Sequence, residues 1–155
     1  MSSPAAALVL KHNPAAVART VADIRRYGYQ RVDDPDGDLL IMESGKHVPY
    51  PVARVFVVDA HKRAIRGRHA HITCNQLLIC LQGRLRVTCD DGHDRHETIL
   101  DKHSEALLMP SGIWGEQDYL ENPTMLMVLC DEPFDASEYI RDYETFLRFK
   151  GVAGS

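Results

Sequence analysis

The sequence predicts an all-β domain, a sandwich or small barrel with helical segments only near its two ends. Eight short β-rich runs follow one another: DLLIM (38–42), ARVFVVD (53–59), NQLLICLQ (75–82), RLRVTC (84–89), HETILD (96–101), ALLM (106–109), IWGEQ (113–117) and TMLMVLCD (124–131). Turn signals separate them at close spacing: Pro35-Asp36-Gly37, Gln82-Gly83, Asp90-Asp91-Gly92 and Pro110-Ser111-Gly112. No helical stretch intervenes, which sets alternating βαβ folds aside.

Ahead of the strands, Asn13-Pro14 reads as an N-cap and first helical position. Val17, Val21 and Ile24 recur at helical spacing, Arg25 and Arg26 suit a last turn, and Gly28 suits a left-handed stop. The expectation is one short amphipathic helix over about 14–26, in a terminal segment 1–28 that precedes a single domain over 29–150. After the last strand, FDASEYIRDYETFLRF opens with Asp135 and Glu138 in a capping-box pattern and sets Tyr139, Ile140, Tyr143, Phe146 and Leu147 on one helical stripe, fit to dock on the outside of the sheet or on a partner subunit.

Size and composition agree with one self-sufficient domain. A chain of 155 residues buries roughly 70% of its unfolded surface, so one core suffices without staples. Its net charge of -4 offers no general attraction to polyanions, so nucleic acid is not an expected partner. No run approaches the ~18 apolar residues of a membrane span, and the first residues lack the basic and apolar regions of a signal peptide, which predicts a cytoplasmic protein without membrane contact. Cys74, Cys80, Cys89 and Cys130 lie inside apolar segments with no CxxC spacing, and read as buried, reduced thiols.

The histidines hold the first chemical signal. His12, His47, His61, His93, His96 and His103 fall in polar or turn-rich surroundings and read as surface groups, but His69 and His71 are separated by one residue. On a strand, positions i and i+2 project from one face, so two imidazoles converge there, and an imidazole titrates near working pH. Gly67, His69, His71, Gln76 and Gly83 reproduce the spacing of the second half of the first cupin signature, and Pro110-Ser111-Gly112 the PxG of the second.

The chain thus resembles the cupin superfamily, which implies a jelly-roll β barrel with the site inside. A cupin metal site would use both histidines, a Glu at position 76 and a His at position 115; Gln76 and Gly115 stand there instead. Two imidazoles and an amide make a poor transition-metal cage, so no metal and no cofactor are expected, and the pair is free to move protons.

More narrowly, RVFVVDAHKRAIRGRHAHITCNQLLICLQGRLRVTCDDG (54–92), LLMPSGIWGEQ (107–117) and MLMVLCDEPFDASEYIRDYETF (125–146) resemble the WxcM-like sugar-nucleotide cupins, over about residues 29–147. That family includes the dTDP-4-keto-6-deoxyglucose 3,4-ketoisomerases. The resemblance implies a homodimer that shifts a carbonyl between C-4 and C-3 of a dTDP-linked sugar through an enediol or enediolate, with His71 as base and His69 as shuttle. It also implies Arg54 and Arg66 as grips on the diphosphate, with Arg68 as a further candidate, while Arg84 and Arg86 read as solvated. Gln76, Trp114, Gly115 and Glu116 are the remaining candidates for the sugar pocket, Gly115 leaving a space about the size of an imidazole. Phe56 and Val57 stand where ketoisomerases carry tyrosine, and Gly115 where they carry histidine. Those departures keep open a non-catalytic cupin that binds a nucleotide sugar or saccharide; a metal-dependent cupin enzyme is a further alternative, which Gln76 and Gly115 disfavour.

Overall fold

The computed structural model describes residues 12–152. Twelve strands form two five-stranded antiparallel sheets and a separate hairpin. They are β1 (Arg25–Tyr27), β2 (Gln30–Asp34), β3 (Gly37–Ile41), β4 (Arg54–Ala60), β5 (Ile65–His71), β6 (Gln76–Gln82), β7 (Arg84–Asp90), β8 (Arg95–Asp101), β9 (Ala106–Met109), β10 (Trp114–Tyr119), β11 (Thr124–Cys130) and β12 (Tyr139–Ile140). One sheet runs β1-β9-β6-β11-β4, the other β12-β5-β10-β7-β8, and β2 pairs only with β3. This is a jelly-roll arrangement of two facing sheets rather than one closed barrel. Each of the eight runs read as a strand is one, with ends shifted by a residue or two.

The continuous apolar run of β6 is buried on both faces. Leu78 and Cys80 face Leu126, Val128, Leu85 and Val87 between the sheets, while Leu77 and Ile79 pack outward against Val48 and Leu129. All four cysteines are buried and unbridged.

Both terminal expectations need correction. The first helix, α1 (Pro14–Ala18), is only one turn. Asn13 sits at its N-cap but spends its amide on the Ile72 carbonyl at 2.6 Å. Thr20 and Asp23 form a capping box around a 3₁₀ turn, and Arg25–Tyr27 leaves helical geometry to pair with β9. Paired on one side by β6, β9 offers its free edge, whose unpaired backbone groups outcompete a marginal surface helix. The main sheet therefore starts at Arg25, inside the segment assigned to the tail.

At the other end the expected single stripe is split in three. Asp135 caps a 3₁₀ turn over Ala136–Glu138, Tyr139–Ile140 becomes β12 on the edge of β5, and Asp142 caps α2 (Tyr143–Phe149). Phe146 and Ile140 bury against Ala70, Ile72 and Trp114 on the outer face of the second sheet, so this segment docks there as expected.

One irregularity positions the site. Along β5 the pairing with β10 slips between Gly115↔His69 and Glu116↔Gly67, leaving Arg68 bulged with φ 58 and Gly67 at φ 81. Residues 66 and 69, three apart, would face opposite sides of a regular strand; the extra bulged residue turns both toward the interior. A Cβ on Gly67 would lie 2.7 Å from Gln117 Oε1 and 3.0 Å from the Gly115 carbonyl, in a left-handed conformation that side chains resist. Gly67→Ala is expected to destabilise the fold by about 1–3 kcal/mol, read as a lower denaturant midpoint; an unchanged midpoint refutes this account of the bulge.

Candidate functional site

Between the sheets lies a cavity of about 120 Å³, bordered by Phe56 and Val58 of β4, Arg66, Gly67 and His69 of β5, Gln76 and Leu78 of β6, Gln117 and Tyr119 of β10, and Leu126 and Val128 of β11. It is small beside the roughly 300–1,000 Å³ of ordinary ligand pockets, so it suits a single ring with the rest of a larger ligand at the mouth. Its walls are apolar, with a few polar groups aimed inward. Three polar atoms at or beside it are buried without a hydrogen-bond partner: His69 Nδ1, His71 Nε2 and Tyr119 Oη. Buried polar atoms are rarely left so, and orphans gathered at one cavity mark where a ligand completes the bonding.

The two imidazoles touch edge to face, 5.0 Å between centroids, and Tyr139 of β12 lies against both at 5.1 and 4.4 Å. His69 borders the cavity; His71 lies behind it, 4% exposed. His71 Nδ1 is bound to the Glu138 carboxylate in a short hydrogen bond. The other carboxylate oxygen accepts from the backbone N–H groups of Ile72, Thr73 and Cys74 at 3.1, 3.2 and 3.3 Å. Burial opposes ionisation of Glu138, but the His71 and amide bonds outweigh it and hold the carboxyl below its ordinary range. An ionised Glu138 fixes the proton on His71 Nδ1 and leaves Nε2 as a free lone pair, the arrangement of a carboxylate-backed base.

His69 is different. Burial, then the neighbouring His71 and Arg141, push it down to about 4, so it is neutral near pH 7. Tyr119, pushed up to about 12 by burial, keeps its proton and can donate it in a hydrogen bond.

Of the residues singled out from sequence, His69, Arg66 and Gln76 border the cavity. Arg66 is exposed and so lies at its mouth. Arg54 does not border it: its guanidinium reaches Cys130 Sγ at 3.5 Å and stacks on Phe56 and Phe134. The bulge turns Arg68 onto an exposed surface beside Arg63 and Asp118. Trp114 and Glu116 lie on the opposite face of β10, where Trp114 packs on Tyr143 and Phe146 and its Nε1 donates to Glu116 at 3.3 Å. Gly115 does face inward, but no imidazole-sized space is left there, because a Cβ would meet the Met109 sulfur at 2.5 Å. Arg86 pairs with Asp118 and Glu97 on the surface.

The groups that sequence reasoning missed are Glu138, Tyr139 and Tyr119. Glu138 read as a helix-capping residue, and its neighbours, the exposed Ser137 and half-buried Tyr139, give no local signal of its burial.

The donor set does not fit a cupin metal. Glu138 occupies Nδ1 of His71, the Gln76 amide nitrogen is turned to Cys130 Sγ at 3.8 Å, and Gly115 has no donor. His71, Cys74 and Glu138 bring donor atoms within 4.8 Å of one another, but the carboxylate there is already held by one imidazole and three amides.

Compared with known proteins, residues 22–151 match the family model described as WxcM-like, C-terminal. The TDP-4-oxo-6-deoxy-alpha-D-glucose-3,4-oxoisomerase of Aneurinibacillus thermoaerophilus is 32% identical over 122 residues, 78% of this chain and 88% of that protein. A 3,4-ketoisomerase from Helicobacter canadensis superposes with TM-score 0.78 at 28% identity, over 83% of this chain and 98% of its own. The TDP-quinovose 3,4-ketoisomerase WlaRB of Campylobacter jejuni does so with TM-score 0.76 at 28% identity, over 83% and 99%.

The depressed His69 ties stability to pH. Between its ordinary value of 6.5 and about 4, the unfolded chain binds a proton at His69 that the folded chain does not, so stability falls as pH falls across that window. Glu138, also lowered, adds loss in the same direction at more acid pH. His69→Gln is expected to flatten the upper part of this decline in thermal unfolding followed against pH; an equal slope in both proteins would mean that His69 titrates normally.

Proposed function

The chain belongs to the WxcM-like, C-terminal family, and on that footing we propose that it is a nucleotide-sugar 3,4-ketoisomerase, converting a TDP-linked 4-keto-6-deoxyhexose into its 3-keto isomer in deoxysugar biosynthesis. The observation that carries this reading is the set of unpartnered polar atoms, His69 Nδ1 and Tyr119 Oη at one small cavity and His71 Nε2 beside it, with a carboxylate behind the second imidazole.

The reaction moves two protons and no other atoms. The proton on C-3 leaves to a base, its bonding electrons form the C-3–C-4 double bond, and the C-4 carbonyl oxygen becomes the enediolate oxygen. The C-3 hydroxyl proton then passes to the C-4 oxygen, which becomes the new hydroxyl; the C-3 oxygen becomes the carbonyl, and C-4 takes a proton back from the base. His71 takes the part of base, because Glu138 holds its Nδ1 and leaves Nε2 as the free lone pair, while burial keeps His69 neutral. Neutral His69, at the cavity wall and in ring contact with His71, serves as the shuttle between sugar and base. Tyr119, still protonated, donates a hydrogen bond where negative charge develops on oxygen. It supplies a phenol that the apolar Phe56 cannot. Arg66 at the mouth meets the diphosphate, and the apolar wall of Val58, Leu78, Leu126 and Val128 excludes water from the enediolate.

Among the described residues no helix is long and apolar enough to cross a membrane. The reading puts the enzyme with its nucleotide-sugar supply in the cytoplasm. A second copy of the chain is the inferred partner: Val55 and Val57 stand half-exposed on the outer face of edge strand β4, and Val32 and Leu39 are likewise exposed on the β2–β3 hairpin. Apolar patches of this kind on an edge strand want a cover.

With TDP-4-keto-6-deoxyglucose in deuterated water, the wild type is expected to exchange the C-3 proton and accumulate the 3-keto isomer. His71→Asn and Glu138→Gln should each slow this by roughly 10²–10⁴-fold with little change in ligand affinity. Retained binding with no exchange in the wild type would instead identify a non-catalytic nucleotide-sugar binder. For the assembly, Val55→Asp with Val57→Asp should turn a dimer into a monomer by sedimentation; an unchanged mass moves the contact elsewhere.

A further inference from the structure

Cys130 ends β11 in a row of inward-facing side chains, directly opposite Gln76 on β6 and Arg54 on β4. The row changes character there. One step along, Leu78, Val128 and Phe56 form an apolar rung at the cavity wall; at Cys130 two polar donors flank a sulfur that is 0% exposed.

Every group that reaches that sulfur donates to it. Arg54 Nη2 donates from 3.5 Å and Gln76 Nε2 from 3.8 Å. Arg54 otherwise contacts the rings of Phe56 and Phe134 and the Tyr139 hydroxyl, and its buried Nε has no partner. Arg54 is half-buried, with its Nε shut off from water and unpartnered, and an anion against the guanidinium offsets that loss. Gln76 shows the second half of the arrangement. Its amide nitrogen is committed to the sulfur, so the carbonyl oxygen of the same planar group is left for the cavity that Gln76 borders.

We propose that Cys130 is a thiolate in the folded enzyme, the counter-ion of Arg54, and a positioning residue that locks the Gln76 amide with its oxygen toward the sugar. The lock sets the polarity of that wall. Gln76 then accepts a hydrogen bond, so the ligand group it selects is a sugar hydroxyl and not a carbonyl or carboxylate. It also accounts for an amide at the position where a cupin metal site carries a carboxylate, since like charges directly opposite on neighbouring strands are unfavourable. The neighbouring Cys74, against burial, and then the Arg54 and Gln76 donors hold the Cys130 thiol below its ordinary range. Cys74 is raised by Cys130 beside it and by burial, and burial pushes Cys80 to about 11 and Cys89 to about 12. Near neutral pH a thiolate signal therefore belongs to Cys130.

The assignment of the hydroxyl rests on the cavity being the sugar site; the ion pair does not. The ultraviolet absorbance of the native wild type at neutral pH, against the same protein at acid pH where it stays folded, should show one thiolate, and Cys130→Ser should lose it. No thiolate in the wild type overturns the proposal whether or not the variant folds. The role on Gln76 is read from KM and kcat for the TDP-linked keto sugar in a double-mutant cycle. Gln76→Glu should raise KM by roughly ten- to hundredfold in the wild type and far less in the Cys130→Ser background, with kcat following less. Additive effects overturn the positioning role even if the thiolate is present. A chain that shows the thiolate but neither binds nor isomerises a TDP-linked keto sugar refutes the functional reading and the hydroxyl assignment together, while the Arg54–Cys130 pair stands.

Discussion

Glu138 carries a carboxylate into the interior, and most of the site is arranged around satisfying it. One oxygen accepts from His71 Nδ1–H, and the other accepts from three consecutive backbone N–H groups at the turn after β5. The interaction is reciprocal. Without Glu138 the turn would bury unpaired amides and His71 would lose the group that selects its tautomer; without the turn and the histidine, Glu138 would be a buried charge with nothing to hold it. Both sides are also tied by backbone, since β12, which follows Glu138 directly, pairs with β5 at His71 and Ala70. The C-terminal segment is thus the element that closes around the histidine pair, and α2 behind it, packed on Trp114 and Ile72, keeps it in place.

A second constraint decides which side chains meet. Strand alternation puts His69 and His71 on one face without further help, but Arg66 joins His69 only because β5 carries a bulge at Gly67 and Arg68. Glycine makes that bulge possible by its left-handed backbone and by its lack of a Cβ against Gln117. Arg68, at φ 58, bears backbone strain of its own and is directed to the surface. Two arginines one residue apart therefore take different tasks, one at the cavity mouth and one in solvent.

The departures from the ketoisomerase pattern take on a different meaning in three dimensions. Gly115 leaves no hole because Met109, from the strand across the core, fills it. Where β4 offers Phe56, the phenol at the cavity comes from Tyr119 of β10, and a second tyrosine, Tyr139, lies against both histidines. Absence of a residue at one position of a motif is therefore weak grounds for absence of its chemistry, because a small two-sheet interior can be reached from several strands.

Much was legible in the sequence because it depends on local rules. Short β-rich runs and turn dipeptides marked eight strands, the i and i+2 spacing put His69 and His71 on one face, and isolated cysteines in apolar runs read as buried thiols. Gln76 and Arg66 were also legible, through motif spacing. The terminal segments were not, because a short amphipathic stretch has nearly equal local preference for helix and strand, and the free edges of β9 and β5 tipped Arg25–Tyr27 and Tyr139–Ile140 to strand. Nor could spacing show that Trp114 and Glu116 face away from the cavity and that Arg54 turns to Cys130, since facing depends on register and on which sheet lies opposite. Above all, the partnership of Glu138 with His71 joins residues 67 apart in sequence, and only the tertiary fold brings a carboxylate, an imidazole and three amides close enough, and far enough from water, for their hydrogen bonds to decide which nitrogen carries the proton.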